Sequence, residues 1–261
     1  MSSQNVSNLF SQAIDAGNMS PQSGQVLNIP DMGAQIQQGL GLHADDVPAS
    51  EVVLVTMLSD DSGSISSAGN EQVVRDGHNS VFDALLASKQ EDNVMVQDRY
   101  LNGTILNPYV MLKQAKRMDS KNYQATGGTP LYDMTAVTLG GVLAKTQEFA
   151  NAGTPARSVT LIITDGADMH STKMTPDKVK VIVEDMVRRE NHIIAAMGID
   201  DGYTDFKKIF RAMGIPDQWI LTPKNSQSEI RKAFNVFSQS VTKASQNSAN
   251  FSQAAMGGFG S

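Results

Sequence analysis

Three short loops of the 261-residue chain carry the side chains best suited to chemistry. The first reads Ser59-Asp60-Asp61-Ser62-Gly63-Ser64-Ile65 and sets Asp60, Ser62 and Ser64 at alternating positions. In extended or gently turning backbone, residues i, i+2 and i+4 point to one side, so one carboxylate and two hydroxyls can converge on a point. Alone, the same pattern describes an ordinary solvated Ser/Asp/Gly loop. The second loop, Ala125-Thr126-Gly127-Gly128-Thr129-Pro130-Leu131, leads into a helix with Tyr132 and Asp133 in its first turn. A glycine turn, a Thr129 cap and Pro130 at the first helical position would account for much of it. The third, Thr164-Asp165-Gly166-Ala167-Asp168, follows an apolar run, and Asp-Gly at a strand end is by itself a common turn.

Composition narrows the chemistry these loops can perform. The chain has no cysteine, which removes disulfides, thiolate metal sites and cysteine nucleophiles, and leaves oxygen and imidazole as metal ligands. The four histidines, His43, His78, His170 and His192, are scattered without a helical i, i+4 pair, so a zinc site is not expected. A net charge of −6 gives no general attraction to nucleic acid, and no nucleic-acid module is recognisable. The N-terminal residues show neither a basic segment nor an apolar run long enough for a leader or a membrane span, so the expected location is cytoplasmic.

The elements that must position the loops follow from periodicity. Near-continuous apolar runs at Val52 to Leu58, Val159 to Thr164 and Ile193 to Gly198 have the form of parallel strands covered on both faces. Val94 to Tyr100 alternates and, with Asn102-Gly103 and the run Thr104 to Leu106, reads as a hairpin toward a sheet edge; Trp219 to Leu221 closes the series. Helices are expected over about Glu71 to Ser88, Leu131 to Ala150, Thr175 to Glu190, Asp205 to Met213 and Ser226 to Lys243. The expected fold is α/β: a Rossmann-like, doubly wound, mostly parallel sheet with a short antiparallel edge strand and helices on both faces. Residues 1–48 read as a partly disordered arm of marginal helical propensity, 49–245 as the folded domain and 246–261 as a flexible tail.

Asp60, Ser62 and Ser64, then Thr129 within Gly127-Gly128-Thr129-Pro130-Leu131, then Asp165 within Thr164-Asp165-Gly166 resemble the metal-ion-dependent adhesion site of von Willebrand factor A (VWA) domains. The resemblance covers roughly residues 51–243, its motif is complete, and it suggests a member of the intracellular prokaryotic or phage type. It implies that Ser62 and Ser64 bind a divalent ion directly, and that Thr129, Asp60 and Asp165 do so directly or through water. Magnesium or manganese is the expected ion, with calcium a third candidate. It further implies a module for protein-protein interaction rather than an enzyme. The ion would take a Glu or Asp oxygen from a partner protein, within a multi-subunit assembly or beside an AAA-type ATPase. Asp61 departs from the many relatives that carry an uncharged residue there, and with Asp133 and Asp168 it predicts a more negative mouth.

The alternative is a metal-dependent phosphoryl-transfer enzyme or hydrolase using the Asp60 loop, as in the haloacid dehalogenase group. Ser62 stands where such an enzyme needs its second Asp, which leaves nothing evident to activate Asp60. An EF-hand, suggested by Glu71 at the twelfth position counted from Asp60, is rejected because Ile65 sits where that loop needs glycine.

Overall fold

The computed structural model describes residues 5–88, 91–246 and 251–259. In chain order the elements are α1 (Val6–Asp15), α2 (Pro21–Leu27), α3 (Pro30–Gly39), β1 (Val52–Ser59), α4 (Gly63–Ser67), α5 (Glu71–Leu86), β2 (Val94–Tyr100) and β3 (Ile105–Met111). They continue with α6 (Leu131–Asn151), β4 (Ala156–Thr164), α7 (Pro176–Arg188), β5 (His192–Gly198), α8 (Phe206–Ala212), β6 (Ile220–Leu221), α9 (Gln227–Gln246) and α10 (Phe251–Gly257).

The six strands form one sheet in the order β3-β2-β1-β4-β5-β6. All neighbours are parallel except β2 and β3, which pair antiparallel through a turn at Asn102-Gly103. Gly103 takes φ +92° there, a conformation that L side chains rarely adopt. The chain builds outward from β1 to β3, then crosses back and builds outward the other way from β4. The carboxyl ends of β1 and β4 therefore meet at the point where the strand order reverses, the place where doubly wound sheets open a crevice for ligands.

Adjacent residues of β2 show which helices cover which face. Asp98 bonds His78 of α5 at 2.8 Å, whereas Arg99 reaches the Gln35 carbonyl of α3 at 2.6 Å. Because successive strand residues point to opposite faces, α5 and α3 lie on opposite sides of the sheet. The long helix α9 packs on α5, with the Phe234 ring against Gly77, while α6 and α7 pack together and contact α1, α2 and α3. Thr175 caps α7 through the Lys178 N–H and Pro176 opens the helix.

The hairpin of β2 and β3 lies at the sheet edge as expected, and β2 is buried along its whole length because α3 covers the polar face and takes up Gln97 and Arg99. One expectation needs correction: the described part of the arm of residues 1–48 forms three helices that belong to the main core. Val6, Leu9, Phe10 and Ala13 of α1 and Ile36 of α3 are buried there. Ser20 N–H donates to Asp185 at 2.7 Å, and Lys145, buried in α6, donates to the Leu42 carbonyl at 2.7 Å and to Glu148 at 2.5 Å. The tail also returns to the domain, with Phe259 packed edge-on against Trp219 at 4.9 Å and the Arg157 guanidinium over the Phe251 ring at 5.6 Å. Residues 1–4, 247–250 and 260–261 of the expected arm and tail lie outside the described residues.

Candidate functional site

The first loop leaves β1 at its carboxyl end and is locked by the carboxylate at its head. Asp60 is fully buried; its Oδ1 accepts the Ser62 N–H at 2.8 Å, and its Oδ2 accepts the Thr164 hydroxyl at 2.7 Å and, more weakly, the Asp165 N–H at 3.4 Å. Its carbonyl accepts the Tyr123 hydroxyl at 2.5 Å. Asp60 thus ties the end of β1 to the end of β4. The turn it stabilises directs Ser62 and Ser64 to one point, where their hydroxyls lie 2.8 Å apart, and Ser64 Oγ donates to Asp165 Oδ1 at 2.6 Å. Four of the five residues singled out in the sequence are joined in one hydrogen-bonded chain.

The second loop is stitched alongside by backbone. Gly127 N–H donates to the Asp61 carbonyl at 2.8 Å and Gly63 N–H to the Gly127 carbonyl at 3.2 Å, an isolated parallel bridge between Ser62 and Gly127. Thr129 follows, nearly buried, but it does not cap α6: Pro130 holds the capping position and no side chain bonds there. Its N–H donates to His170 Nδ1 at 2.9 Å, and its carbonyl accepts the N–H groups of Met169 and His170 at 3.1 and 3.3 Å. The Thr129 hydroxyl makes no hydrogen bond to the other four site residues. Gly128 is required by this arrangement, since a Cβ there would fall 2.8 Å from His170 Nδ1.

His170 is the site neighbour that the sequence did not reveal. Its only local signal is a position five residues beyond Asp165, and its partner lies 41 positions away. Asp133 and Asp168, expected to make the mouth more negative, are engaged by loop donors. Asp133 accepts the N–H groups of Thr172, Lys173 and Met174, and Asp168 accepts the Tyr132 N–H and the Ser171 hydroxyl. They knit the third loop to the start of α6.

The remaining carboxylates are crowded and short of water. Burial pushes the Asp165 carboxyl up to about 6, against the opposing Ser64 hydrogen bond, with Asp60 and Asp201 adding to the rise. Burial likewise raises Asp61 to about 6, opposed by the Asn102 N–H and assisted by Asp60. Asp61 Oδ1 accepts that N–H at 3.0 Å, while Oδ2 is buried without a partner.

The donor set fits a hard divalent ion. Neighbouring ligands around octahedral magnesium, at bond lengths near 2.0–2.1 Å, stand about 2.9 Å apart. The Ser62–Ser64 and Ser64–Asp165 oxygen separations of 2.8 and 2.6 Å are close to that edge length. Among the described residues no group of three or more His, Asp or Glu side chains is placed to hold a metal ion, so an ion here would need the hydroxyls among its ligands. No helix among the described residues is long and apolar enough to cross a membrane.

No protein-family model and no curated protein matches the sequence. Solved structures do match. A pilus adhesin, SpaC from Lactobacillus rhamnosus GG, superposes with a TM-score of 0.51 at 13% identity, covering 74% of this chain and 31% of that one. Proximal thread matrix protein 1 from the mussel byssus, in a structure described as having a zinc occupied MIDAS motif, gives 0.48 at 14% identity over 75% of this chain and 47% of that one. The SpRpn10 VWA domain gives 0.47 at 9% identity over 70% of this chain and 94% of that one. This chain thus spans about a third of the adhesin and about half of the byssus protein. At such identities the likeness is one of fold.

Proposed function

We propose that this chain is a VWA domain that holds one divalent ion at the end of β1 and β4 and uses it to bind a carboxylate of a partner protein. The observation that carries the proposal is the hydrogen-bonded chain Ser62–Ser64–Asp165, anchored on Asp60. Ser62, Ser64, Thr129, Asp60 and Asp165 would hold the ion, directly or through water. Magnesium or manganese suits these oxygens, and calcium is the third candidate. When bound, the ion supplies a positive centre that accepts an Asp or Glu oxygen from outside. The protein's own contribution is positional: Asp60 fixes the loop, the two serines offer neutral oxygens that leave the ion's charge uncancelled, and the unbonded Thr129 hydroxyl is available as a further ligand.

An enzymatic role has less support. A nucleophilic Asp60 would have to be exposed, yet it is buried and both its oxygens already accept protein donors. The setting that fits is a cytoplasmic multi-subunit assembly, or a place beside an AAA-type ATPase, in a prokaryote or phage. Titration calorimetry on metal-stripped protein tests the ion. Binding of magnesium or manganese that disappears in Asp60→Ala is expected, and binding of zinc alone would reject the ligand set. Affinity capture in magnesium against EDTA tests the bridge, and turnover of a phosphate ester that Asp60→Ala abolishes would restore the enzyme alternative.

A further inference from the structure

Three large hydrophobic side chains among the described residues are strongly exposed: Met169 at 79%, Tyr203 at 98% and Met256 at 60%. Exposed hydrophobics scattered singly are ordinary on a soluble surface. Two of these three, however, lie on loops at the carboxyl end of the sheet, the end that carries the metal-site residues. Met169 stands four residues beyond Asp165 in the loop after β4, and Tyr203 stands in the loop after β5, the strand next to β4.

Both are held by backbone tied to the site. The Met169 N–H bonds the Thr129 carbonyl at 3.1 Å, so Met169 stands on the Thr129 side. Tyr203 follows the end of β5, where the Ile199 N–H bonds the Thr164 carbonyl at 2.9 Å. Asp201 accepts the N–H groups of Tyr203 and Thr204 at 2.9 and 2.7 Å and the Thr204 hydroxyl at 2.5 Å. A loop pinned in this way presents its aromatic ring outward at little further entropic cost on binding. Tyrosine and methionine are also among the residues enriched where protein interfaces are buried.

Charge alone gives such a site limited affinity. The serine oxygens would leave the ion's charge uncancelled, yet Asp60, Asp61 and Asp165 stand near it and oppose an incoming acid. Apolar contact beside the ion would add affinity that the ion does not supply.

We propose that Met169 and Tyr203 are the apolar anchors of the partner interface, on the loops beside the metal site. The partner is a protein segment that presents one acidic residue with apolar residues before and after it. This rests on the reading of the site as a metal-bridged carboxylate receptor.

The test uses the full chain loaded with manganese and labelled synthetic peptides, read by fluorescence anisotropy. One peptide carries a central Glu flanked by Leu, a second the same Glu flanked by Ser, and a third Gln in place of Glu between the Leu flanks. The parent is expected to bind the Leu-flanked Glu peptide about tenfold or more tighter than the Ser-flanked one. Tyr203→Ser and Met169→Ser should each reduce that preference with manganese affinity, read by electron paramagnetic resonance, unchanged. Equal binding of the two Glu peptides, a preference that survives both substitutions, or no peptide binding at all overturns the anchor proposal while the ion site stands. A parent that binds no manganese, or that takes the Gln peptide equally well, takes down the underlying reading with it.

Discussion

Ser64 Oγ donates to Asp165 Oδ1 at 2.6 Å, across 101 positions of sequence, and that one bond closes the mouth of the site between the ends of β1 and β4. Ser64 is exposed and contributes nothing to the core, so its removal separates metal binding from folding. Ser64→Ala is expected to weaken magnesium or manganese binding by about 10- to 100-fold with the circular dichroism spectrum unchanged. Calorimetric titration of stripped parent and variant checks this. Equal affinities would remove Ser64 from the ligand set.

The Asp165 carboxyl, raised to about 6, makes metal binding depend on pH. The ion needs the carboxylate form, so affinity should fall as pH drops through about 6, when protons compete for the same oxygen. Stability of the metal-free protein moves the opposite way. A carboxyl raised in the folded state contributes stability that is fully present below the unfolded value of 3.8 and is lost as pH rises through about 6. Between pH 8 and pH 5, metal-free Asp165→Asn should therefore show a smaller gain in melting temperature than the parent. Identical pH slopes for parent and variant would show that Asp165 is not raised.

The strands were legible because buried parallel strands must be continuously apolar, and β1, β4 and β5 are. The ligand loops were legible because period-two spacing of Asp60, Ser62 and Ser64 is a local property. His170 was not, because its role depends on a meeting of two loops that no local pattern records. The N-terminal helices were misjudged for a different reason. Val6, Leu9, Phe10 and Ala13 stand at i, i+3, i+4 and i+7, a helical stripe, but the surrounding Ser, Gln and Asn residues dilute it. What that stripe covers is set by tertiary packing, since α1 lies against α6, α2 and α3. Gln97 and Arg99 of β2 are likewise polar residues buried under α3, a cover that no local pattern records.

The docking of those helices is testable at Ile36. This side chain is fully buried between α3 and α6, and its Cδ1 lies 2.7 Å from where a Cβ on Gly140 would be. Ile36→Ala should cost about 2–5 kcal/mol, the usual loss for truncating a buried aliphatic chain. Urea unfolding followed by circular dichroism measures it. A change near zero would mean that α3 is not packed on α6 in solution.

Asp61 offers the sharpest test of site electrostatics, because it is the residue least explained by metal binding. Its Oδ1 accepts the Asn102 N–H at 3.0 Å, whereas Oδ2 is buried without a partner and the carboxyl is raised to about 6. An uncompensated buried charge costs more than an unsatisfied neutral amide, for which the penalty is about 1–3 kcal/mol. Asp61→Asn keeps an oxygen for Asn102 and places a neutral group where the orphaned oxygen lies. At pH 8, where the parent carboxyl is ionised, the metal-free variant should melt at a higher temperature than the parent. At pH 5, where the parent is mostly protonated, the difference should shrink. Metal affinity should fall modestly as one nearby negative charge is lost, and capture of an acidic partner should strengthen for the same reason. Thermal melts at the two pH values with a magnesium titration decide the matter, and a variant less stable than the parent at pH 8 would show that the Asp61 charge is compensated by something other than the ion.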